Sequence, residues 1–83
     1  MLVAKGWQQT DRLIEKKFNF SNYLAGVEFA IRVANIAEQV NHHPEIKIGF
    51  CWVAISTTTH DKGNTITNLD HKLVSEIDAM DVD

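Results

Sequence analysis

Apolar and polar positions change their period several times along this 83-residue chain, and each change marks an element. Residues 5–10 and 12–20 carry spaced aromatic and aliphatic positions: Trp7 first, then Ile14, Phe18 and Phe20, which share parity. Lys16 has the same parity, as a strand position at a sheet edge would. Side chains alternate between faces along a strand, so the pattern predicts two short strands joined by a turn near Thr10-Asp11. From Ser21 onward the period lengthens. Tyr23, Val27, Ala30, Ala34 and Ala37 recur at steps of three or four, and Leu24, Ile31, Val33, Ile36 and Val40 widen the stripe. This predicts an amphipathic helix of about 20 residues with Ser21 as its N-cap. The helix should stop near Asn41 or His42, because a residue that precedes proline, here Pro44, is pushed out of the helical region.

Residues 45–58 return to alternation, but with a switch. Ile46, Ile48 and Phe50 share one parity and Val53, Ile55 and Thr57 the other. A one-residue slip turns every side chain to the opposite face, so two strands with a tight turn between Gly49 and Trp52 are expected. His60 to Asn68 is polar, contains Gly63-Asn64 and reads as a loop. Thr67 with Asp70 three residues later has the form of a capping box, and Leu69, Leu73, Val74, Ile77 and Met80 give the following helix an apolar face. The order β-β-α-β-β-α predicts one α+β domain over residues 1–83. It has two layers, a four-stranded antiparallel sheet covered by helices on one face.

Composition narrows the classes of function. The chain is 45% hydrophobic and 23% charged, with a net charge of −3 and acidic residues collected near its end (Glu76, Asp78, Asp81, Asp83). Nucleic-acid binding wants a basic face, and no cationic run exceeds Lys16-Lys17. No apolar run approaches the roughly 20 residues of a membrane helix, and no signal peptide is visible. The single cysteine, Cys51, excludes an intrachain disulfide and fits a reducing interior, so a cytoplasmic protein is expected. A chain this small buries only roughly 60–65% of its unfolded surface, which makes oligomerisation a natural way to bury more.

The candidate chemistry lies in Glu38-Gln39-Val40-Asn41-His42-His43-Pro44 and in Thr59-His60, which together hold three of the four histidines. Histidine titrates nearest neutrality, so such a cluster can both donate and accept protons. Glu38 and His42 are four residues apart and share a helix face, while His43-Pro44 turns the chain at the helix end, where the dipole favours a cation. Taken singly, each piece has a plainer reading: a solvated Glu/His pair, a helix stop, a loop histidine. Three histidines and a glutamate would also suffice for a zinc shell. A His-His dipeptide is not a common zinc spacing, however, and Cys51 has no partner, so no metal is expected. Nor does Cys51 have an evident base beside it in sequence, which favours packing over a nucleophilic role. Trp7 reads as core. Trp52 is open between core and a platform for a flat heterocycle.

The combined register Glu38, His42-His43-Pro44, Phe50, His60 and Asp70 resembles the signature of the pterin-4a-carbinolamine dehydratases. Trp7, Phe18-Asn19-Phe20 and Val33-Ala34-Asn35-Ile36-Ala37-Glu38 extend the resemblance upstream, and Asp70 to Asp78 extends it downstream, so most of the chain is covered. The loop after His60 carries one residue more than the commonest family form, and fewer residues precede Trp7 than relatives often have. The resemblance implies a dehydratase that converts 4a-hydroxytetrahydropterin to quinonoid dihydropterin without a cofactor. His42 and His60 would be the acid/base pair, with His43 as a third catalytic group that also helps bind the pterin. Glu38, Thr59 and Asp70 would complete the substrate site, although helix capping explains Asp70 equally well. It further implies a homodimer or homotetramer working beside an aromatic amino-acid hydroxylase system. Two alternatives remain: a dimerising protein cofactor acting through an apolar helix face within 24–40, and a related enzyme of molybdopterin-type pterins.

Overall fold

Alternation at the centre of the chain organises the sheet. The computed structural model describes residues 6–80. In strand β4 (Trp52–Thr57), Val53, Ile55 and Thr57 are buried, while Trp52, Ala54 and Ser56 are half exposed on the opposite face. β4 pairs with β2 (Ile14–Asn19) on one side and with β3 (Glu45–Gly49) on the other. A two-residue β1 (Gln8–Gln9) borders β2, which completes an antiparallel sheet of order β1-β2-β4-β3. Helix α1 (Tyr23–Val40) lays Gly26 against Val53, and helix α2 (Asn68–Asp78) brings Asp70 to Thr57. Val53 and Thr57 share a face of β4, so both helices cover the same side of the sheet. This is the expected two-layer α+β arrangement.

The space between the layers is filled by Ile14, Val53 and Ile55 from the sheet, Phe29, Val33 and Ala37 from α1, and Leu73, Val74 and Ile77 from α2. Each fully buried aliphatic or aromatic side chain contributes about 1.5–3 kcal/mol by leaving water. Trp7 joins this core, and its indole Nε1–H donates to Asp78 Oδ1 at 3.0 Å, which closes the strand layer onto the end of α2. Lys16 runs its stem along the aromatic rings, with Nζ 4.7 Å from the centre of Phe18. It lies one residue beyond the cover of β1, whose register ends at Gln8 opposite Glu15.

Several local expectations are corrected. The first strand is far shorter than 5–10, and its residue 5 lies outside the described residues, as do Asp81 and Asp83 of the acidic end. The N-cap of α1 is Asn22, not Ser21. Its Oδ1 accepts from Ala25 N at 2.8 Å, a geometry either side chain can supply in principle. The buried stripe of α1 runs through Gly26, Phe29, Ala30, Val33 and Ala37, whereas Tyr23, Leu24, Ile31 and Ala34 are exposed. Phe29 decides that phase. Its ring sits 4.6 Å from Phe18 and 5.2 Å from Phe20, and Gly26 lets β4 approach closely. Leu69 is likewise exposed and is not part of the apolar face of α2.

The β3–β4 hairpin turns through Phe50-Cys51, as the parity switch requires, with Cys51 at φ 65°. Gly49 pairs with Trp52, and the indole lies across the glycine so closely that a Cβ there would clash with the ring. Trp52 is therefore a cover for the outer sheet face rather than core. Gly49→Ala is expected to lower unfolding free energy by about 1–3 kcal/mol through overpacking. Urea titration of Gly49→Ala against Gly49→Ala/Trp52→Ala checks this, since removing the indole should restore most of the loss.

Candidate active site

Three elements end within reach of one another: the C-terminus of α1, the end of β4 and the N-terminus of α2. Asp70 is where they meet. It is the N3 residue of the α2 capping box, where Thr67 N–H donates to Asp70 Oδ2 at 2.9 Å. Its side chain is fully buried and also accepts from Thr57 Oγ1, Thr59 Oγ1 and His42 Nε2, each at 2.7 Å. Burial alone pushes this carboxyl up. The hydroxyls of Thr57 and Thr59, the Thr67 N–H and His42 outweigh that penalty and hold it below the ordinary carboxylate range. The capping reading of Asp70 is thus realised, and the same buried carboxylate holds His42 and Thr59 from behind without itself lining the depression beside them.

α1 ends at Asn41, which takes the left-handed conformation at φ 56° and ψ 44°. Asparagine tolerates that region better than most side chains. The consequence for the histidines is large, because helical spacing no longer applies beyond Asn41. The expected Glu38/His42 pair does not form. His42 turns inward onto Asp70, leaving its side chain 11% exposed, and His43 folds back over Glu38 with Nε2 2.5 Å from Oε2. That second pair is well exposed, so it orients His43 more than it stabilises the fold.

His60 opens a short 3₁₀ turn (His60–Lys62) after β4. Its Nδ1 lies 2.7 Å from Asn64 Oδ1. Gly63 at φ 75° and Asn64 at φ 58° both occupy the left-handed region, and this returns the chain beside the imidazole. Thr59 and Thr65 bridge across the base of this loop. In the sequence Asn64 reads only as half of a turn dipeptide. Nothing local showed that its amide would hold His60.

Acceptors fix the proton positions. Ionised Asp70 only accepts, so His42 Nε2 carries a proton and Nδ1 is uncommitted. Asn64 Oδ1 likewise makes His60 Nδ1 the donor and leaves Nε2 uncommitted. A depression of about 310 Å³ is lined by His42, His43, His60, Thr58 and Thr59, among others. One wall of it, Thr59, holds Asp70 from the other side. The arrangement presents two imidazoles, each gripped by one nitrogen, to a single solvent-accessible space. Such a pair can move one proton onto a ligand and another off it.

Other sequence candidates stand elsewhere. Phe50 and Cys51 occupy the β3–β4 turn, at the opposite end of β4 from His60. Phe50 is 78% exposed and stacks against Tyr23 at 6.4 Å. Cys51 therefore cannot serve as a nucleophile beside these histidines. Among the described residues no three His, Cys, Asp or Glu side chains are grouped to hold a metal ion. His42, His43 and His60 are each committed to a different partner.

Comparison with known proteins finds relatives over most of the chain. Residues 1–80 match the family model described as pterin 4 alpha carbinolamine dehydratase. A Prochlorococcus marinus (strain AS9601) protein provisionally named pterin-4-alpha-carbinolamine dehydratase is 42% identical over 81 residues, covering 95% of this chain and 83% of that protein. A Sulfurisphaera tokodaii protein with the same provisional name is 41% identical over 76 residues, or 92% of this chain and 81% of its own length. The crystal structure of a transcriptional coactivator/pterin dehydratase from Brucella melitensis superposes with a TM-score of 0.81 at 31% identity, covering 90% of this chain and 81% of that one. A pterin dehydratase-like RuBisCO assembly factor of the alpha-carboxysome shares the fold, with a TM-score of 0.68 at 23% identity over 88% of this chain and 83% of that one.

Asp70→Ala should cost about 3 kcal/mol, since it strands buried hydroxyls and a histidine without their acceptor. The pH dependence has a definite sign. A carboxyl held low in the folded state stabilises fully above its unfolded value of about 3.9, and that contribution fades as pH falls through the folded value. Urea midpoints measured from pH 6 down to pH 2 should therefore drop more steeply for the native chain than for Asp70→Asn.

Proposed function

The chain belongs to the pterin-4-alpha-carbinolamine dehydratase family, and from that membership we propose that it dehydrates a 4a-hydroxytetrahydropterin to the quinonoid dihydropterin. The observation that carries this reading is the pair of half-committed imidazoles, His42 on Asp70 and His60 on Asn64, bordering one depression.

The reaction breaks the C4a–O bond and the adjacent ring N–H bond and forms a C=N bond between those two ring atoms. Hydroxide is a poor leaving group, so one imidazolium protonates the oxygen, which departs as water. The second imidazole, neutral, takes the proton from the ring nitrogen. The two histidines exchange protonation states in the process and reset through solvent. General acid–base assistance of this kind supplies typically 10²–10⁴-fold. Asp70 acts through His42: it holds the ring in place and fixes Nδ1 as the nitrogen that meets substrate. His43, steered by Glu38, contributes a binding contact at the rim, and Thr59 secures Asp70 from behind. No prosthetic group is needed for any of these steps. In a cell the substrate would come from a reaction that hydroxylates an aromatic ring at the expense of a reduced pterin, and a cytoplasmic setting fits the lone cysteine. No helix among the described residues is long and apolar enough to cross a membrane.

The second reading, a dimerising protein cofactor, draws on a different surface. Tyr23, Leu24 and Ile31 on α1 are 50%, 68% and 57% exposed. Exposed large apolar side chains grouped on one helix favour an assembly contact. That contact is compatible with catalysis, because it lies on α1 away from the Asp70 junction, and we assign it to a homo-oligomer.

Initial rates of quinonoid dihydropterin formation test the chemistry. His42→Ala and His60→Ala should each fall by about 10²-fold or more below the native chain. Equal rates in all three would remove the acid/base assignment. Sedimentation velocity tests the assembly. The native chain should sediment as more than one copy, and Leu24→Glu/Ile31→Glu should shift it to the monomer.

A further inference from the structure

The space at the histidines has two lobes, and only one of them is lined by both members of the acid/base pair. The lobe of about 310 Å³ runs from His42 to Asp61. A second of about 300 Å³ runs from Asn64 to Arg12 and Glu45. His43, Thr58 and His60 line both, so a ligand held at the shared wall has room to extend into either. In the second lobe Glu45 has Lys47 Nζ 3.8 Å from its carboxylate, whereas Arg12 makes no ion pair among the described residues. That lobe therefore holds a cation with no ion-pair partner, whereas the lobe containing Asp61 offers a carboxylate and no lysine or arginine.

The backbone holds Arg12 at its post. Thr10 Oγ1 accepts from Arg12 N at 3.1 Å and from Leu13 N at 3.2 Å, and Thr10 N–H donates to Leu13 O at 2.9 Å. Thr58 Oγ1 donates to Arg12 O at 2.5 Å, which staples the β1–β2 turn to the chain two residues before His60. A pinned arginine with an uncommitted guanidinium is suited to grip a phosphate or carboxylate with parallel N–H donors.

Resting on the dehydratase reading, we propose that Arg12 is a specificity-determining residue that selects pterins whose ring substituent ends in an anion. The reacting bicycle sits at the shared histidine wall. Its substituent is drawn into the Arg12 lobe and kept out of the Asp61 lobe by charge. Phosphate and carboxylate offer the same chemistry to a guanidinium, and the choice between them is made by the substrate arms of the test.

The test compares 4a-hydroxytetrahydropterins bearing a neutral methyl, a hydroxymethyl phosphate ester or a glutamate-terminated substituent. Steady-state kcat and KM are measured for the native chain, Arg12→Gln and Arg12→Lys. Equilibrium binding of the matching stable 7,8-dihydropterins runs alongside. The native chain should show a KM about tenfold lower for at least one anionic form, as one charge-assisted contact supplies. The preference should lie in KM rather than kcat, shrink at high salt, vanish in Arg12→Gln and survive in part in Arg12→Lys. Equal KM values for neutral and anionic forms, or a preference that Arg12→Gln retains, overturns the proposal. Turnover of the neutral form without anion preference leaves the dehydratase reading standing and sinks this one. Arg12-dependent binding of the anionic dihydropterin without any turnover does the reverse, and no binding of any pterin overturns both.

Discussion

A single buried carboxylate joins the elements that make up the candidate site. Asp70 has four donors, one from the cap of α2, two from the threonines at the end of β4 and one from the histidine beyond α1. A lone carboxylate in that position would be costly by several kcal/mol. With every partner supplied, it becomes a point that three chain segments must reach together. The packing of α2 on the sheet, the position of His42 and the shape of the depression all depend on that convergence. The fold and the candidate site share the same atoms, so changes at Asp70 act on both stability and the placement of His42.

The αL turn at Asn41 is the second constraint, and it divides labour between adjacent histidines. One residue in a left-handed conformation sends His42 inward to Asp70 and His43 to the surface. A helix continued by one more turn would keep both imidazoles on a solvent-facing arc and leave Asp70 without one of its donors. The 3₁₀ turn at His60 does comparable work on the other side, where Gly63 and Asn64 bring an amide to the imidazole. Two short left-handed interruptions therefore place His42, His43 and His60, while the regular elements supply a rigid frame.

The frame itself leaves unequal faces. The aromatic group of Trp7, Phe18, Phe20 and Phe29 fills one end of the interlayer space. The outer sheet face carries Trp52 over Gly49, with Lys17 Nζ 4.8 Å above the indole. α1 buries one line of side chains and presents Leu24 and Ile31 on another. A small domain that buries so limited a fraction of its surface retains apolar area for other contacts.

Signals carried by neighbouring residues were legible in the sequence. The element order, the parity switch that makes the β3–β4 hairpin, the Thr67/Asp70 capping box and the helix stop at Asn41 all arise from contacts a few residues long. The register of Glu38, His42-His43-Pro44, His60 and Asp70 likewise pointed to the family. What the sequence did not determine is which groups those residues would meet. Helical spacing paired Glu38 with His42, but the reversal at Asn41 gave Glu38 to His43 and His42 to Asp70, 28 residues away. Periodicity alone placed Tyr23 and Ile31 inward, but the bulk of Phe29 between Phe18 and Phe20 rotated the helix. Asn64 and Arg12 became neighbours of the histidines only when two loops closed on the end of β4. Local patterns determine elements because their hydrogen bonds close within a turn or a hairpin. Tertiary structure decided the site because buried charge and ring volume are satisfied only by groups that the whole fold brings together.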